Sequence, residues 1–315
     1  MMKLVVPEYY NSFKCIADRC EHSCCIGWEI DVDDETLEYY QSITGELGKR
    51  INSKIDLSNG DPHFILEKGE RCPFLKNDGL CELICSLGEG SLCNICSDHP
   101  RFRNYYSDRT EMGIGLCCEE AARIILSGNF SSDLIILECD DENHILNEQE
   151  KLFFTFRDDL FLCLDDSKKP VSDIAESLLD KCGIKSFNIQ LNDASQFLSD
   201  LEQLDSAWTP KLKTLLSSKL MPADVLNSEH RTQIVEIIRY FIYRHLADGI
   251  YDGRIKQRVA FAVFSAIIIA AICVESVKNT FEYFAEVARM YSSEIEYSDE
   301  NVERLLDYLS NLIEE

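Results

Sequence analysis

From about Glu138 onward the apolar positions recur at helical spacing. Glu148–Leu164 carries Leu152, Phe153, Phe156, Leu160 and Leu164 on one predicted face, with charged residues between them. Ser195–Leu204 reads as a shorter helix, and Trp208-Thr209-Pro210 as a break. Long helices are predicted at Glu229–Leu246, Ile255–Val277 and Asn279–Tyr291. A last one starts at Asp299 and runs through Leu312, with Val302, Leu305, Leu306 and Leu309 facing inward. Val259–Val274 is uncharged throughout but falls short of the roughly 20 residues needed to cross hydrocarbon. It predicts the central buried helix of a soluble domain, not a membrane span.

Residues 1–127 follow no such period. Short apolar runs at Lys3–Val6, Trp28–Val32 and Phe64–Leu66 are broken by Gly, Asn, Asp and cysteine pairs. Asp33 or Asp34 can cap a helix through Glu35–Ile43, and Ala121–Leu126 ends another at Gly128. The predicted fold class is mainly α: an irregular, cysteine-rich metal- or cluster-binding domain over residues 1–130, then an α-helical bundle over residues 131–315. The join falls in the polar stretch Ser127–Asp133 or Cys139–Asn147.

Charge narrows the partners. The chain has 315 residues, with 31 Lys+Arg against 56 Asp+Glu, a formal net charge of -25. Such a surface repels nucleic acid and anionic lipid, and favours a basic peptide.

The 15 cysteines change the picture more. Eleven lie between Cys15 and Cys118. The N-terminal stretch MMKLVVPEYYNSFKC lacks a secretory pattern, so the expected location is cytoplasmic and the thiols are expected to be reduced. An odd total fits complete disulfide pairing badly. A thiophilic metal is the expected occupant of this region, with Cys93-x2-Cys96 as its one C-x2-C pair. Cys24 and Cys25 are adjacent, so they point to opposite faces of an extended chain unless it turns, and Gly27 makes a turn plausible. His22, His63 and His99 are available nitrogen donors. Spacing alone leaves zinc and an iron–sulfur cluster both open. No G-x-G-x-x-G, G-x-x-x-x-G-K-[ST], H-E-x-x-H, G-x-S-x-G or C-x3-C-x2-C run occurs.

The order of the motifs carries a resemblance. Phe13-Lys14-Cys15, Cys20, Cys24-Cys25-x2-Trp28-x-Ile30-x2-Asp33, Cys72-Pro73-Phe74-Leu75, Gly79-Leu80-Cys81, Leu87-Gly88, Cys96 and Pro100-Arg101 resemble the flagellin lysine-N-methylase family. So do Cys117-Cys118-Glu119-Glu120-Ala121-Ala122-Arg123, Tyr240-Phe241-Ile242-Tyr243-Arg244, and Ser293-Glu294-Ile295-Glu296-Tyr297-Ser298 with Asn301. Glu119 stands where that pattern has proline, and Tyr297 where it has histidine.

The resemblance implies an enzyme that transfers a methyl group from S-adenosylmethionine to lysine side chains of flagellin. It also implies a [4Fe–4S] cluster, with zinc the alternative metal, held among Cys15, Cys20, Cys24, Cys25, Cys72, Cys81, Cys96 and Cys118. Cys85, Cys93 and Cys117 fall where the pattern has other residues. Arg101 can hold the carboxylate of the methyl donor through a bidentate contact. Tyr105, Tyr106, His99, Glu119 and Glu120 are the candidate proton acceptors. A non-catalytic zinc- or iron–sulfur-binding adaptor is the competing reading, motivated by the missing nucleotide motifs.

Overall fold

The apolar stretch around Val259 forms a helix, Ile255–Val274, in which every side chain from Arg258 to Cys273 is buried. It is long and apolar enough to cross a membrane, yet 89% of its apolar window is covered by protein. Its neighbours are helices Arg231–His245, Phe281–Ile295, Asp299–Ser310, Pro222–Leu226 and Val171–Lys181. A helix apolar on all sides is stable only at the centre of such a packing.

The computed structural model describes residues 2–58, 60–140, 144–278 and 280–314. The chain is mainly helical and divides into two compact units. The first comprises residues 1–13, 102–117 and 121–315; the second comprises residues 14–101 and 118–120.

In the first unit the predicted helices form, with shifts that have local causes. Glu148–Leu164 has the expected bounds and an Asn147–Glu150 capping box. Its buried face is Phe153, Phe154, Arg157, Leu160 and Leu164; Leu152 is exposed and Phe156 half-buried, a correction to the predicted stripe. The rotation follows from Arg157, whose charge is buried against Glu111 and so brings its own face inward. Trp208-Thr209-Pro210 does not break the chain but begins the Trp208–Lys213 helix, because proline is tolerated in a first turn, where N–H groups lack partners anyway. The predicted Ser195–Leu204 helix lies earlier, at Leu191–Ser199. The helix expected from Asn279 starts at Phe281, capped by Thr280, and runs to Ile295; Asn279 itself lies outside the described residues. Val302 of the Asp299–Ser310 helix is half-buried.

The same unit holds a four-stranded sheet that the helical pattern hides. Its order is Arg101–Tyr105, Arg109–Ile114, Lys3–Pro7, Leu134–Cys139. Lys3–Pro7 runs parallel to Arg109–Ile114 and antiparallel to Leu134–Cys139, with a register shift between Leu4 and Val5.

The second unit is irregular, as expected. Its core is Ile30, Val32, Tyr40, Ile51, Phe64, Phe74 and Leu83, together with the buried thiols of Cys72 and Cys93. Asp33 caps the Asp34–Ser42 helix by accepting the Thr36 N–H, and its other oxygen accepts the Asn94 N–H at 2.8 Å. Gly27 and Gly79 take positive φ, +96° and +82°, at the turns that bring Cys25 and Cys81 into this core.

Candidate functional site

The second unit gathers the thiols in two neighbourhoods. Cys25, Cys81 and Cys96 pack against the core that contains Cys72 and Cys93. Outside that core Cys24 has Cys15 and Cys118 as neighbours, and Cys20 has Cys118. The adjacent Cys24 and Cys25 divide between the two groups, their thiols hydrogen-bonded to each other. All fifteen cysteines are thiols, not disulfides.

Their acidities differ because their partners differ. The hydrogen bond from Cys24 holds Cys25 down at about 7 against the cost of burial, and pushes Cys24 well above the thiol range. Cys93 and Cys96 form a second hydrogen-bonded pair, with Cys93 lowered and Cys96 raised, and the Tyr40 hydroxyl lies 3.7 Å from the Cys93 sulfur. Burial, with Cys25 and Cys81 nearby, raises Cys72 to about 12 against the backbone hydrogen bonds from Phe74 and Leu75.

Proximity is not ligation. Among the described residues no three cysteine, histidine or acidic groups stand together as ligands of one ion. The thiols as arranged do not form a ligand set for zinc or for a cluster. This bears on the expected metal- or cluster-binding domain, whose thiols are grouped without converging.

The remaining candidates in this unit have structural partners. Arg101 donates to the carbonyls of Ser97 at 3.3 Å and Asp98 at 3.5 Å. His99, before the cis Pro100, packs on Trp28 with ring centroids 5.5 Å apart, and burial lowers its pKa to about 4. Trp28 donates to the Cys24 carbonyl. His63 faces Glu29 and the Asp61 carbonyl. Glu119 accepts from the backbone N–H groups of Glu21 and His22 and from the Cys20 thiol. Among the candidate acceptors in the first unit, Tyr105 is 67% exposed, while the Tyr106 ring packs between Phe153 and Phe154.

The first unit contains a polar network that no single sequence motif announced. Glu296, fully buried, accepts from His245 Nε2 at 2.6 Å and from the Tyr240 hydroxyl at 3.0 Å, with Arg244 Nε at 3.3 Å. The Tyr240 oxygen in turn accepts from Arg244 at 2.7 Å and from the Leu116 N–H at 3.2 Å. Burial would raise Glu296, but the Arg244 charge and the His245 hydrogen bond outweigh it and hold the carboxyl below its ordinary value. His245 is lowered, burial outweighing the carboxylate beside it.

This network reaches partly exposed ground at Tyr297. The Arg244 guanidinium lies 5.0 Å from the ring centroids of both Phe102 and Tyr297. The Tyr297 hydroxyl hydrogen-bonds the Cys117 thiol, and Tyr297 is 39% exposed. Burial of the hydroxyl and the neighbouring thiol push this phenol above its ordinary pKa. Charges on Arg244 and Arg289 both act on Cys117.

The alternate residues of Ser293–Ser298 thus do separate work. Glu294 accepts the backbone N–H groups of Leu204 and Asp205, and Asn301 bonds Glu202 and the Glu294 carbonyl, so these two hold a turn. Glu296 binds the network, and Tyr297 faces Cys117. Three stretches far apart in the chain, carrying Cys117, Arg244 and Tyr297, meet here.

Curated relatives share this sequence over most of its length. A lysine-N-methylase of Salmonella typhimurium is 26% identical over 231 residues, covering 68% of this chain and 55% of that protein. The chain is similar to the lysine-N-methylases. The Salmonella choleraesuis lysine-N-methylase matches equally, and the flagellar biosynthetic protein FliU of Salmonella muenchen is 28% identical over 131 residues, 38% of this chain and 75% of that one. The chain spans about half the length of the lysine-N-methylases it matches. No family model and no solved structure matches it.

Proposed function

We propose that the protein methylates lysine side chains of a flagellar protein, with flagellin as the substrate and S-adenosylmethionine as the donor. The observation that carries this reading is that three stretches on which the resemblance to the lysine-N-methylases rests meet at Cys117, Arg244 and Tyr297, of which Cys117 and Tyr297 are this chain's own residues where the pattern has others. The relatives' names, lysine-N-methylase and flagellar biosynthetic protein, support it.

The reaction needs a neutral amine. With an ordinary pKa near 10.4, deprotonating lysine at neutral pH costs roughly 4–5 kcal/mol. The overall charge of -25 attracts a basic polypeptide but opposes this step, since carboxylates stabilise ammonium. The surroundings of Tyr297 work in the opposite sense. Arg244, 5.0 Å from the Tyr297 ring centroid, is the cation beside the phenol, and like charge favours the uncharged amine. The Tyr297 phenol stays neutral, so its oxygen can accept one amine N–H and turn the nitrogen lone pair outward. Glu296, tied to Tyr240, His245 and Arg244, fixes the guanidinium in place. A neutral phenol accepts a hydrogen bond but not the lysine's proton, so in this reading the ammonium gives its proton to solvent before the amine docks on Tyr297, and Tyr105, Tyr106, His99, Glu119 and Glu120 are not used.

A [4Fe–4S] cluster belongs to the same proposal, supported by the two thiol neighbourhoods and the resemblance. Ligation requires the thiols to approach one another more closely than they do here.

The test is incubation of the anaerobically purified protein with flagellin and S-adenosylmethionine, followed by mass mapping of lysines. Methylated lysine in the complete mixture and none without donor is the expected result. Unmodified flagellin, with donor binding absent by calorimetry, would overturn the enzyme reading and favour a non-catalytic adaptor.

A further inference from the structure

In the second unit one carboxylate oxygen collects three donors from a single loop. Glu119 Oε2 accepts from the Glu21 N–H at 2.8 Å, the His22 N–H at 3.3 Å and the Cys20 thiol at 3.6 Å. Glu119 opens the helix Glu119–Leu126, where a carboxylate also meets favourable backbone N–H dipoles. It follows Cys118 directly, and the loop it holds leads from Cys20 to Cys24. The loop has little regular structure of its own: a three-residue 3-10 turn, Ala17–Arg19, ends just before Cys20. Its fixation therefore depends on side-chain contacts, and this is the contact that reaches it from 97 to 99 residues away in sequence.

We propose that Glu119 is the positioning residue of the outer thiol group: a latch that holds the Glu21–His22 backbone closed and keeps the Cys20 thiol committed to its carboxylate. A thiol donating to a carboxylate is a poor nucleophile and is withheld from any thiophilic cation or electrophile until the bond opens. Opening breaks one S–H···O contact and forms no covalent bond, so it needs no co-reactant. The latch stands on these hydrogen bonds and does not depend on the methyltransferase or cluster readings.

The experiment is anaerobic alkylation with iodoacetamide and mass mapping of each cysteine, in wild type, Glu119→Ala and Glu119→Gln. Cys85, which is exposed, serves as the internal reference. In wild type Cys20 is expected to react more slowly than Cys85. Glu119→Ala is expected to speed Cys20 by about tenfold while leaving Cys85 unchanged, the scale of one charge-assisted hydrogen bond. Glu119→Gln keeps an acceptor oxygen and is expected to retain part of the protection. Equal Cys20 rates in all three proteins would overturn the latch. Should Glu119→Ala expose every thiol through unfolding, hydrogen exchange on the wild type decides. Slow exchange at the Glu21 and His22 amides supports the latch, and exchange at the rate of an open loop overturns it. Iron and zinc content of the same samples tests the cluster reading separately.

Discussion

His245 Nε2 stands 2.6 Å from Glu296 Oε2, a pair 51 residues apart that joins the end of the Arg231–His245 helix to the residue just beyond Phe281–Ile295. The same oxygen serves Tyr240 and Arg244, so one buried carboxylate ties together every polar group behind Tyr297. Removing its charge leaves Arg244 buried without its counterion. Glu296→Gln is expected to cost about 2–4 kcal/mol of stability, read as a lower urea midpoint at unchanged slope.

Tyr297 offers a cleaner separation of chemistry from folding, because it is 39% exposed. Tyr297→Phe removes the hydroxyl that meets Cys117 and keeps the ring beneath Arg244. Its thermal midpoint should stay close to that of wild type, while lysine methylation falls by roughly tenfold or more. Wild-type methylation rates in this variant would remove Tyr297 from the reaction.

Arg157 and Glu111 pair in the interior, their side chains 2% and 0% exposed, with the guanidinium stacked among Phe153, Phe154, Phe161 and Tyr243. Arg157→Met orphans the carboxylate and is expected to cost about 3–5 kcal/mol. Adding Glu111→Leu to the same protein should recover most of that loss. A double variant as unstable as the single one would mean that packing, not charge, sets the cost.

Acid stability carries the signature of His99. Its folded pKa of about 4 lies below the ordinary 6.5, so the unfolded chain takes up a proton that the folded chain refuses. Stability is therefore full above the unfolded value and declines as pH falls from there toward the folded one. Between neutrality and about pH 5 the loss from this group is roughly 2 kcal/mol. His99→Gln should flatten that limb of a denaturation series, unlike a substitution at exposed Cys85.

The thiol groups make a further prediction. Cys72 is 5% exposed in the core of the second unit, so Cys72→Ser buries a hydroxyl and should cost about 1–3 kcal/mol, whereas Cys85→Ser should change stability by less than about 0.5 kcal/mol. A cluster makes the anaerobic protein brown, and Cys72→Ser then lowers its iron content. Iron content equal to that of wild type would exclude Cys72 as a ligand.

Sequence alone determined the helical half, since apolar spacing in Glu148–Leu164 and Val259–Val274 reflects burial on elements whose hydrogen bonds are local. It also pointed to the turn at Gly27 that lets the adjacent Cys24 and Cys25 meet, where an extended chain would have pointed them apart. Contacts between distant segments were decided only by the tertiary structure. The sheet pairs Lys3 with Arg109, and strands this short carry too little alternation to announce partners a hundred residues away. The apolar run Lys3–Val6 hinted at a strand but not at its partners. Leu152 faces outward because Arg157 found Glu111, a partner no periodicity encodes. For the same reason the sequence could name Cys117, Arg244 and Tyr297 only in separate stretches. Their meeting depends on how the helices pack, a property of the folded chain as a whole.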